Sequence, residues 1–546
     1  MKNRIYSIIA AAASLMVAAP ACDFLEPRQI DLIYNEVFWE SQTDAEVGLS
    51  GVYALYRGLM ADGHNWYSRG DATTGFVRSG WNGGSPSGLY TVGNYSDITT
   101  DTKMWGSPGL ESYCDWASFY KVVAQANLVI SKVEQMDPSV FKKGDWERIL
   151  GEAHFLRGLV YFQILKIWGN APYIDESIES SSQVINKELK PILIPRTEDL
   201  EIAANVIADA KFAVDNLQYG TPGSARWGIF ANKGAADALY AEANMWMWFL
   251  AKRDRLPGNI KYVEEAIKAL EDLRDNGGYS WATYTPEGVR AMYLGQSSEA
   301  VFELNVSPDQ NESLRADYNG VTAITCKMTS FDGDPTKDRG TQIDWVPFSQ
   351  KALIYPEYNF ETGEGDIRPN LFFEAWDSEY NDAVNDLPGN VANDRNKITW
   401  LKKYAQFTED TYRKQDEYVA YFACCNIPVF RYTGEMLLLA EAYYRYGEPG
   451  KATQIVNQVR QRAGLEPYAG SEDDLLWEIL QQEFGEMFGE GQNYFAMVRN
   501  NYFPNEHLMP AAKYRERGYN WPVSSSILSM NTEVSQTPYW NGKTKW

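Results

Sequence analysis

The chain has 546 residues, of which 45% are hydrophobic, and its 73 acidic residues outnumber 50 basic ones for a net charge of −23. This excess of acid argues against a nucleic-acid-binding protein, because a phosphate backbone is held by clustered Lys and Arg, and it provides no attraction to anionic lipid headgroups. After the first 21 residues, no stretch of the sequence is long and apolar enough to span a bilayer.

The N-terminus has the pattern of a lipoprotein signal peptide. Lys2 and Arg4 precede an apolar run over residues 5–19 that is too short for a stable membrane helix, and small residues lead to Cys22. The sequence therefore predicts a signal peptide over 1–21, lipidation of Cys22 and a tether over 22–42. An ordinary secretory signal with an incidental cysteine is the alternative. With no attraction to headgroups, anchoring depends on the acyl chains of Cys22.

Helical periodicity recurs along the first half of the chain. Apolar residues on one face predict helices over 43–59, 116–133, 146–168, 200–217, 231–250 and 263–273. Ala235, Ala236, Ala241 and Ala243 lie among large residues in the fifth of these, which predicts that a neighbouring helix approaches closely.

Helices return near the C-terminus. Two of them, over 435–445 and 451–463, are joined by a tight turn at Gly447 and Pro449-Gly450 and resemble a tetratricopeptide unit. A last helix is predicted over 473–488 on a stripe that includes Leu475, Ile479 and Phe484.

Two irregular segments separate the helical parts. Residues 62–98 contain many glycines interleaved with aromatic rings, and long irregular segments inside regular domains are usually functional or disordered. Residues 276–425 are rich in Gly, Asn, Asp and Pro and contain a strand candidate at 300–304 but no long helical pattern. We expect the ligand-binding residues on these segments.

The cysteines, histidines and acidic runs predict no metal site. We expect Cys114, Cys326, Cys424 and Cys425 to be mostly free and packed, with a bridge from Cys114 or Cys326 left open. His154 lies within a helical pattern and is expected to pack there. The acidic runs 332–334 and 361–366 lack the spacing of an EF-hand loop and are more typical of solvated turns.

Motifs along almost the full length resemble the SusD/RagB family of outer-membrane nutrient-binding lipoproteins. Each motif is weak alone, but their order and spacing match the family. They are residues 23–26 with 38–39 and 44–45, residues 151–157 with 161–162 and 168–172, residues 231–236, residues 431–442 with 459–465, residues 483–491 with 495, and residues 522 and 536–539.

The resemblance implies a mainly all-α fold, in which a tetratricopeptide-like helical-hairpin scaffold carries a large irregular, loop-rich insertion. Residues 43–546 would form a single domain. Its scaffold would comprise 43–61, 112–275 and 431–500, and its ligand-presenting segments 62–111 and 276–430. The implied function is that of a non-catalytic, lipid-anchored protein at the outer-membrane surface, which captures an oligo- or polysaccharide for a TonB-dependent SusC-like transporter. Neither a cofactor nor a metal is implied.

Sugar recognition points to particular side chains in both irregular segments. A sugar ring has an apolar C–H face and a rim of hydroxyls, so its capture needs flat aromatic platforms beside polar side chains that orient it. In the first segment we expect Trp81 as the platform, with Trp66 or Tyr67 flanking it. The hydroxyl-binding candidates of this first segment are Asp71, Arg78 and Asn82.

Packing is the competing interpretation for these rings. Trp81 could instead pin its own loop, and for Trp66 and Tyr67 packing is favoured. The second segment supplies Tyr318, Trp345 and Arg368 from their loop context. Structural packing is also favoured for Trp345, and a local salt bridge is favoured for Arg368, although a guanidinium beside a platform is a common hydroxyl clamp.

Other classes of function stay open. A glycoside hydrolase needs two carboxylates across one cleft, and 73 acidic residues always offer such a pair. A helical-repeat scaffold that binds only protein would need no aromatic platforms. A third alternative is a binder of peptide or glycoprotein cargo.

Overall fold

The computed structural model describes residues 38–61, 65–71, 73–79, 111, 113–186, 188, 190–306, 344–346, 348–374, 376–377, 399–404, 425–505 and 509–544. The predicted signal peptide, Cys22 and most of the tether lie outside these ranges. Within the described part of the chain, no helix combines the length and the apolar character that crossing a bilayer requires.

Long helices fill the first half of the chain. They are α1 (Gln42–Ala61), α2 (Ala117–Gln135), α3 (Asp145–Trp168), α4 (Asp199–Asn216), α5 (Lys233–Arg253) and α6 (Ile260–Asn276). All of them begin and end within three residues of the predicted ranges, because a buried stripe at helical spacing is a local signal. The N-terminus of α5 is capped by Asn232, whose side chain accepts from the N–H groups of Gly234 and Ala235.

Consecutive helices pack side by side. The α3 helix packs against α2 and α4, and α5 packs between α4 and α6. Small residues permit these approaches: the predicted alanines of α5 are all buried, and a Cβ added at Gly158 of α3 would lie 3.0 Å from the Cβ of Asp209 in α4. The result is a layered stack of helices.

The C-terminal helices form the predicted hairpin and its neighbours. After α7 (Pro286–Leu294) come α8 (Tyr432–Tyr446), α9 (Pro449–Arg462), α10 (Leu475–Met487) and α11 (Asn493–Arg499). Gly447 ends α8 in the left-handed region with a φ of +92°, as the turn at this position requires. The α8 helix packs against α6, α9 and α10, so the hairpin continues the stack.

Short strands connect the irregular segments to this scaffold. They are β1 (Arg78–Ser79), β2 (Ala300–Leu304), β3 (Asp344–Trp345), β4 (Phe373–Glu374), β5 (Trp400–Leu401) and β6 (Ile427–Arg431). The predicted strand at 300–304 is confirmed. It pairs antiparallel with β6, Ala300 opposite Arg431 and Leu304 opposite Ile427, and both strands are buried. This sheet joins both ends of the second irregular segment to the start of α8.

Short helices complete the described chain. They are Tyr67–Gly70, Ser181–Val184, Phe348–Ile354, Arg368–Phe372, Tyr502–Asn505, Ala511–Arg515 and Ser525–Met530, with 3-10 turns at Pro138–Val140 and Pro538–Trp540. The C-terminal part packs back on α3: the Trp521 N–H donates to the Ile167 carbonyl at 2.8 Å, and Trp168 Nε1 donates to the Pro522 carbonyl at 3.1 Å. The predicted fold class, a mainly all-α scaffold of helical hairpins with an irregular insertion, is confirmed.

Cysteine and histidine positions agree with the packing interpretation. Cys114 is free and buried, so the bridge left open for it is not formed. Cys425 is buried, and its Sγ donates to the Tyr404 carbonyl at 3.5 Å, while Cys326 and Cys424 lie outside the described residues. His154 stacks on Phe212 and its Nδ1 lies 2.7 Å from Asp209 Oδ1. The predicted packing of this histidine within α3 is confirmed.

Candidate functional site

The predicted binding residues fall into three groups. Trp81, Asn82 and Tyr318 lie outside the described residues. For Arg78 and Trp345 the structure describes the backbone. The remaining candidates, Trp66, Tyr67, Asp71 and Arg368, are described in full and are all buried.

The structure brings the two irregular segments together at one short ribbon. β1 pairs antiparallel with β3, with Arg78 opposite Trp345 and Ser79 opposite Asp344. Directly opposed residues of an antiparallel pair have Cα atoms about 5 Å apart. The first predicted wall, which continues to Trp81, and the second predicted wall therefore meet in space. We call the strands Arg78–Ser79 and Asp344–Trp345 the ribbon.

Neighbouring strands support the ribbon from the side of β3. The Val346 N–H donates to the Thr399 carbonyl at 3.1 Å, one residue before β5. β5 itself pairs antiparallel with β4, Phe373 opposite Leu401. Four segments that are separate in sequence thus form one small layer, and residues 80–110, 307–343, 378–398 and 405–424 connect to it.

Trp66, Tyr67 and Asp71 are buried, which agrees with the packing favoured for the two rings and corrects the expectation that these residues contact ligand. Trp66 is 6% exposed and packs edge-on against the ring of Tyr404, with the ring centroids 5.9 Å apart, and Tyr67 is 1% exposed. The reason is a close backbone approach that the sequence does not reveal: a Cβ at Gly70 would lie 2.0 Å from the carbonyl oxygen of Gly491. This contact draws residues 65–71 into the core.

A narrow cavity beside Trp66 does not restore its role as a platform. The cavity has a volume of about 40 Å³, and Trp66 Nε1, buried at its edge, has no hydrogen-bond partner among the described residues. Such a volume holds a few water molecules and no sugar ring, since one water needs about 10–15 Å³ by this measure.

Asp71 is buried with one of its oxygens unpaired. Its Oδ2 accepts a hydrogen bond from the Gly491 N–H at 2.5 Å, while Oδ1 finds no donor in the described part of the chain. Burial raises the pKa of the Asp71 carboxyl to about 7, although the N–H groups of Gly491 and Gly489 oppose the increase. Asp71 therefore fastens the 65–71 segment to the turn after α10 and offers nothing to a ligand on the surface.

Arg368 is likewise buried, and the favoured local salt bridge is confirmed. Its Nε lies 2.9 Å from Asp366 Oδ1, and its Nη1 lies 3.1 Å from Glu486 Oε1. The side chain is 2% exposed, so the alternative role as a hydroxyl clamp is wrong. A guanidinium at this depth is needed to neutralise buried carboxylates.

Arg368 belongs to a buried ion network that supports the ribbon layer. The network pairs four acidic with four basic side chains, so that its formal charges balance. Its members are Glu299, Asp366, Glu486, Glu490, Arg368, Lys403, Arg431 and Arg462. Four of the eight, Glu299, Asp366, Arg368 and Lys403, come from the second irregular segment, and the network thereby fixes that segment to the scaffold.

Glu486 is the centre of this network. Burial alone would raise the pKa of its carboxyl, but the guanidinium groups of Arg462, Arg368 and Arg431 outweigh burial and lower the pKa to about 2. Arg462 Nη2 lies 3.0 Å from Glu486 Oε2. The sequence identified residues 483–491 as a family motif without indicating the role of Glu486, because the partners of this carboxylate come from distant parts of the chain.

An aromatic pair with one exposed ring, which the sequence analysis missed, lies close to the ribbon. Trp477, on α10, is 41% exposed and stacks on Tyr502 with the rings 5.5 Å apart and 2° from parallel. Phe484 contacts both rings and also packs against Phe76, which precedes β1 by two residues. Sequence reasoning could have found Trp477, because this residue lies outside the apolar face of its helix.

The described residues include no group of three or more His, Cys, Asp or Glu side chains arranged to hold a metal ion. In the predicted acidic run 361–366, Asp366 is engaged by Arg368, and Asn359 Oδ1 accepts from the N–H of Glu361, as in a turn. His154 is committed to Asp209, as described above.

Two family models match the chain over separate stretches. Residues 348–513 match the SusD family, and residues 88–214 match a family described as "Starch-binding associating with outer membrane". Among curated proteins, SusD-like protein P38 of Formosa agariphila is 24% identical over 542 residues, covering 94% of this chain and 95% of that protein.

Solved structures share the fold. A SusD homolog from Bacteroides thetaiotaomicron superposes with a TM-score of 0.72 at 21% identity, covering 92% of this chain and 100% of that one. A SusD superfamily protein from Bacteroides vulgatus gives a TM-score of 0.65 at 19% identity, covering 92% and 100%. With matching family models in both halves and a relative along nearly the full length, the chain belongs to the SusD/RagB family.

Proposed function

We propose that the protein is a non-catalytic, lipid-anchored glycan-binding protein of the outer membrane that passes its ligand to a SusC-like TonB-dependent transporter. Family membership, and the match of residues 88–214 to a family described as starch-binding and associating with the outer membrane, support the class of function. The lipoprotein pattern ending at Cys22 supports the mode of attachment.

The observation that carries the proposal is the pairing of Arg78 with Trp345. Two loop segments, chosen independently for their aromatic and polar content, converge there on one layer. We place the glycan surface on the loops that leave this layer, with Trp81 as the main platform, Arg78 and Asn82 as polar contacts, and Tyr318 and Trp345 opposite.

Trp477 extends this surface onto the described scaffold. Its indole is held parallel to Tyr502 before any ligand binds, so stacking a sugar on it costs little conformational entropy. Aromatic faces attract the C–H face of a sugar, while the uncovered edge of the indole ring remains in water. Phe76 and Phe484 connect this pair to β1, so one extended glycan could contact both Trp81 and Trp477.

Titration of the mature protein with plant and host polysaccharides tests the proposal, by calorimetry and by affinity electrophoresis. We expect Trp81→Ala to abolish binding and Trp477→Ala to weaken it by about tenfold, the loss of roughly one stacking contact. Tyr446→Ala is the matched control, because Tyr446 is 43% exposed at the far end of α8, about 20 Å along the helix from the ion network.

Several outcomes would contradict the proposal. Unchanged polysaccharide affinity in both tryptophan variants would contradict the proposed binding surface. Binding of peptides alone would favour the peptide-cargo alternative. Release of shorter products from the oligosaccharide panel would identify a hydrolase. Membrane attachment and delivery are tested separately. Cys22→Ala should release the protein from membranes, and the native protein should co-purify with a TonB-dependent transporter.

A further inference from the structure

A second concave site lies away from the ribbon, between α1 and the end of β2. Its volume is about 260 Å³. Tyr53 and Arg57 line it from α1, Phe230 lines it from the loop before α5, and Glu303 and Asn305 line it from β2 and the residue after that strand. Drug-sized ligands occupy about 300–1,000 Å³, so this cavity suits a ligand of one small ring.

Glu303 lines this cavity, and within the described part of the chain only one of its two carboxylate oxygens accepts a hydrogen bond. The side chain is 3% exposed. Its Oε1 accepts hydrogen bonds from the Gln296 N–H and from Asn426 Nδ2, the latter at 2.7 Å. Its Oε2 accepts no hydrogen bond from another described residue, and Glu303 is one of the residues that line the cavity. A buried acceptor left without a donor is destabilising, and a ligand hydroxyl would satisfy it.

The other walls combine fixed rings with a free amide. Tyr53 and Phe230 meet edge to face with their centroids 5.2 Å apart. The Tyr53 hydroxyl donates to Glu152 at 2.7 Å and accepts from the Ala231 N–H, so its ring cannot turn away. The half-buried amide of Asn305 makes no side-chain hydrogen bond within the described structure and can both donate and accept.

The charges around the cavity favour a neutral ligand. The lining contains one acidic side chain, Glu303, and one basic side chain, Arg57, so the cavity has no net formal charge that would select a cationic or an anionic ligand. Hydroxyl groups satisfy a carboxylate and an amide without adding charge, and aromatic walls accept the C–H face of a ring.

We infer that this cavity binds one neutral monosaccharide, with hydroxyls donating to Glu303 Oε2, a further hydroxyl on Asn305 and the sugar ring against Tyr53 and Phe230. The inference goes beyond the proposed glycan surface and does not depend on it, since none of the residues lining the cavity belongs to the ribbon or to the Trp477 pair. The mature protein would then hold a single sugar separately from the polymer.

Saturation-transfer NMR and calorimetry on the mature protein at pH 8 test the inference, with D-glucose, D-galactose and D-mannose as probes. At least one neutral hexose should bind. Glu303→Gln, which turns the free acceptor into a donor while Gln Oε1 can still accept from Asn426, should weaken binding by about tenfold or more. Asn305→Ala should also weaken it, and it leaves the buried strand intact.

Trp477→Ala separates this site from the glycan surface, because it should leave hexose binding unchanged while it weakens polysaccharide binding. The absence of any bound hexose would overturn the inference. So would hexose binding that survives both Glu303→Gln and Asn305→Ala, or a preference for glucosamine or glucuronic acid over the neutral sugars. Weakened polysaccharide binding in Trp477→Ala with intact hexose binding would support both sites.

Discussion

Replacing Asp71 by asparagine should stabilise the protein, and more so at pH 8 than at pH 5. The pKa of Asp71 rises from an ordinary 3.8 to about 7 because burial disfavours the carboxylate. A pKa raised on folding means that the folded state holds the proton more tightly than the unfolded state. The stability that this proton contributes is complete below about pH 4 and is lost as the pH rises to about 7.

The magnitude follows from linkage. Between pH 5 and pH 8 the wild-type protein should lose about 2–3 kcal/mol of unfolding free energy through Asp71 alone. The carboxamide introduced by Asp71→Asn would not titrate, and its oxygen can still accept from the Gly491 N–H. The unfolding free energy of D71N relative to wild type should therefore increase by the same about 2–3 kcal/mol over this interval.

Urea denaturation of both proteins at pH 5 and pH 8, followed by tryptophan fluorescence, measures this double difference. Other buried acids, such as Glu303 and Glu483, titrate equally in both proteins and cancel. An equal difference at the two pH values would refute the reasoning, because it would mean that the Asp71 carboxylate is solvated or paired. Polysaccharide affinity at pH 8 should be unchanged in D71N, in contrast to a direct ligand contact.

Asp209→Asn is the matched control with the opposite sign. Asp209 is equally buried, but hydrogen bonds from His154 and Arg157 outweigh burial and lower the pKa of its carboxyl. Its stabilising contribution is therefore present above the unfolded pKa and is lost as the pH falls through the lower folded value. Asp209→Asn should cost about 3–5 kcal/mol at pH 7 by leaving Arg157 unpaired, and urea denaturation at pH 7 checks this.

Other substitutions test the support beneath the ribbon by urea denaturation at pH 7. Gly70→Ala should destabilise the protein by several kcal/mol, on the order of 3, because the new Cβ would meet the Gly491 backbone, and a neutral result would contradict the close approach. Gly58→Ala, with open space at its Cβ inside α1, should instead stabilise by about 0.5–1 kcal/mol. Glu486→Gln should cost about 3–5 kcal/mol by removing the charge that faces Arg462, and a loss below about 1 kcal/mol would contradict a central role.

Local patterns in the sequence were sufficient to predict the scaffold. Apolar stripes and turn glycines depend on neighbours three or four residues away, so helices such as α3 and α8 were predicted nearly at their observed bounds. The strand Ala300–Leu304 was also predicted, but its partner β6 was not. Strand pairing depends on which distant segment lies alongside in the folded chain. The alternation of side chains within one strand does not indicate which segment that is.

Contacts between distant segments determine whether the predicted binding residues are buried or exposed. Trp66, Tyr67 and Asp71 look like loop residues in sequence, yet the approach of Gly70 to Gly491 buries them. The same kind of long-range contact places Phe76 near Trp477, whose indole the sequence did not single out.

From its sequence alone, this protein was identified as a helical-repeat member of the SusD/RagB family with aromatic-rich loops. Composition, short-range periodicity and motif order are properties of the linear sequence, so they can be determined without the folded structure. Only the tertiary structure decided which of those aromatic and charged side chains face outward. Burial is set by backbone approach and by neutralisation of charge between segments such as 366–368 and 486–490, and both require the folded chain.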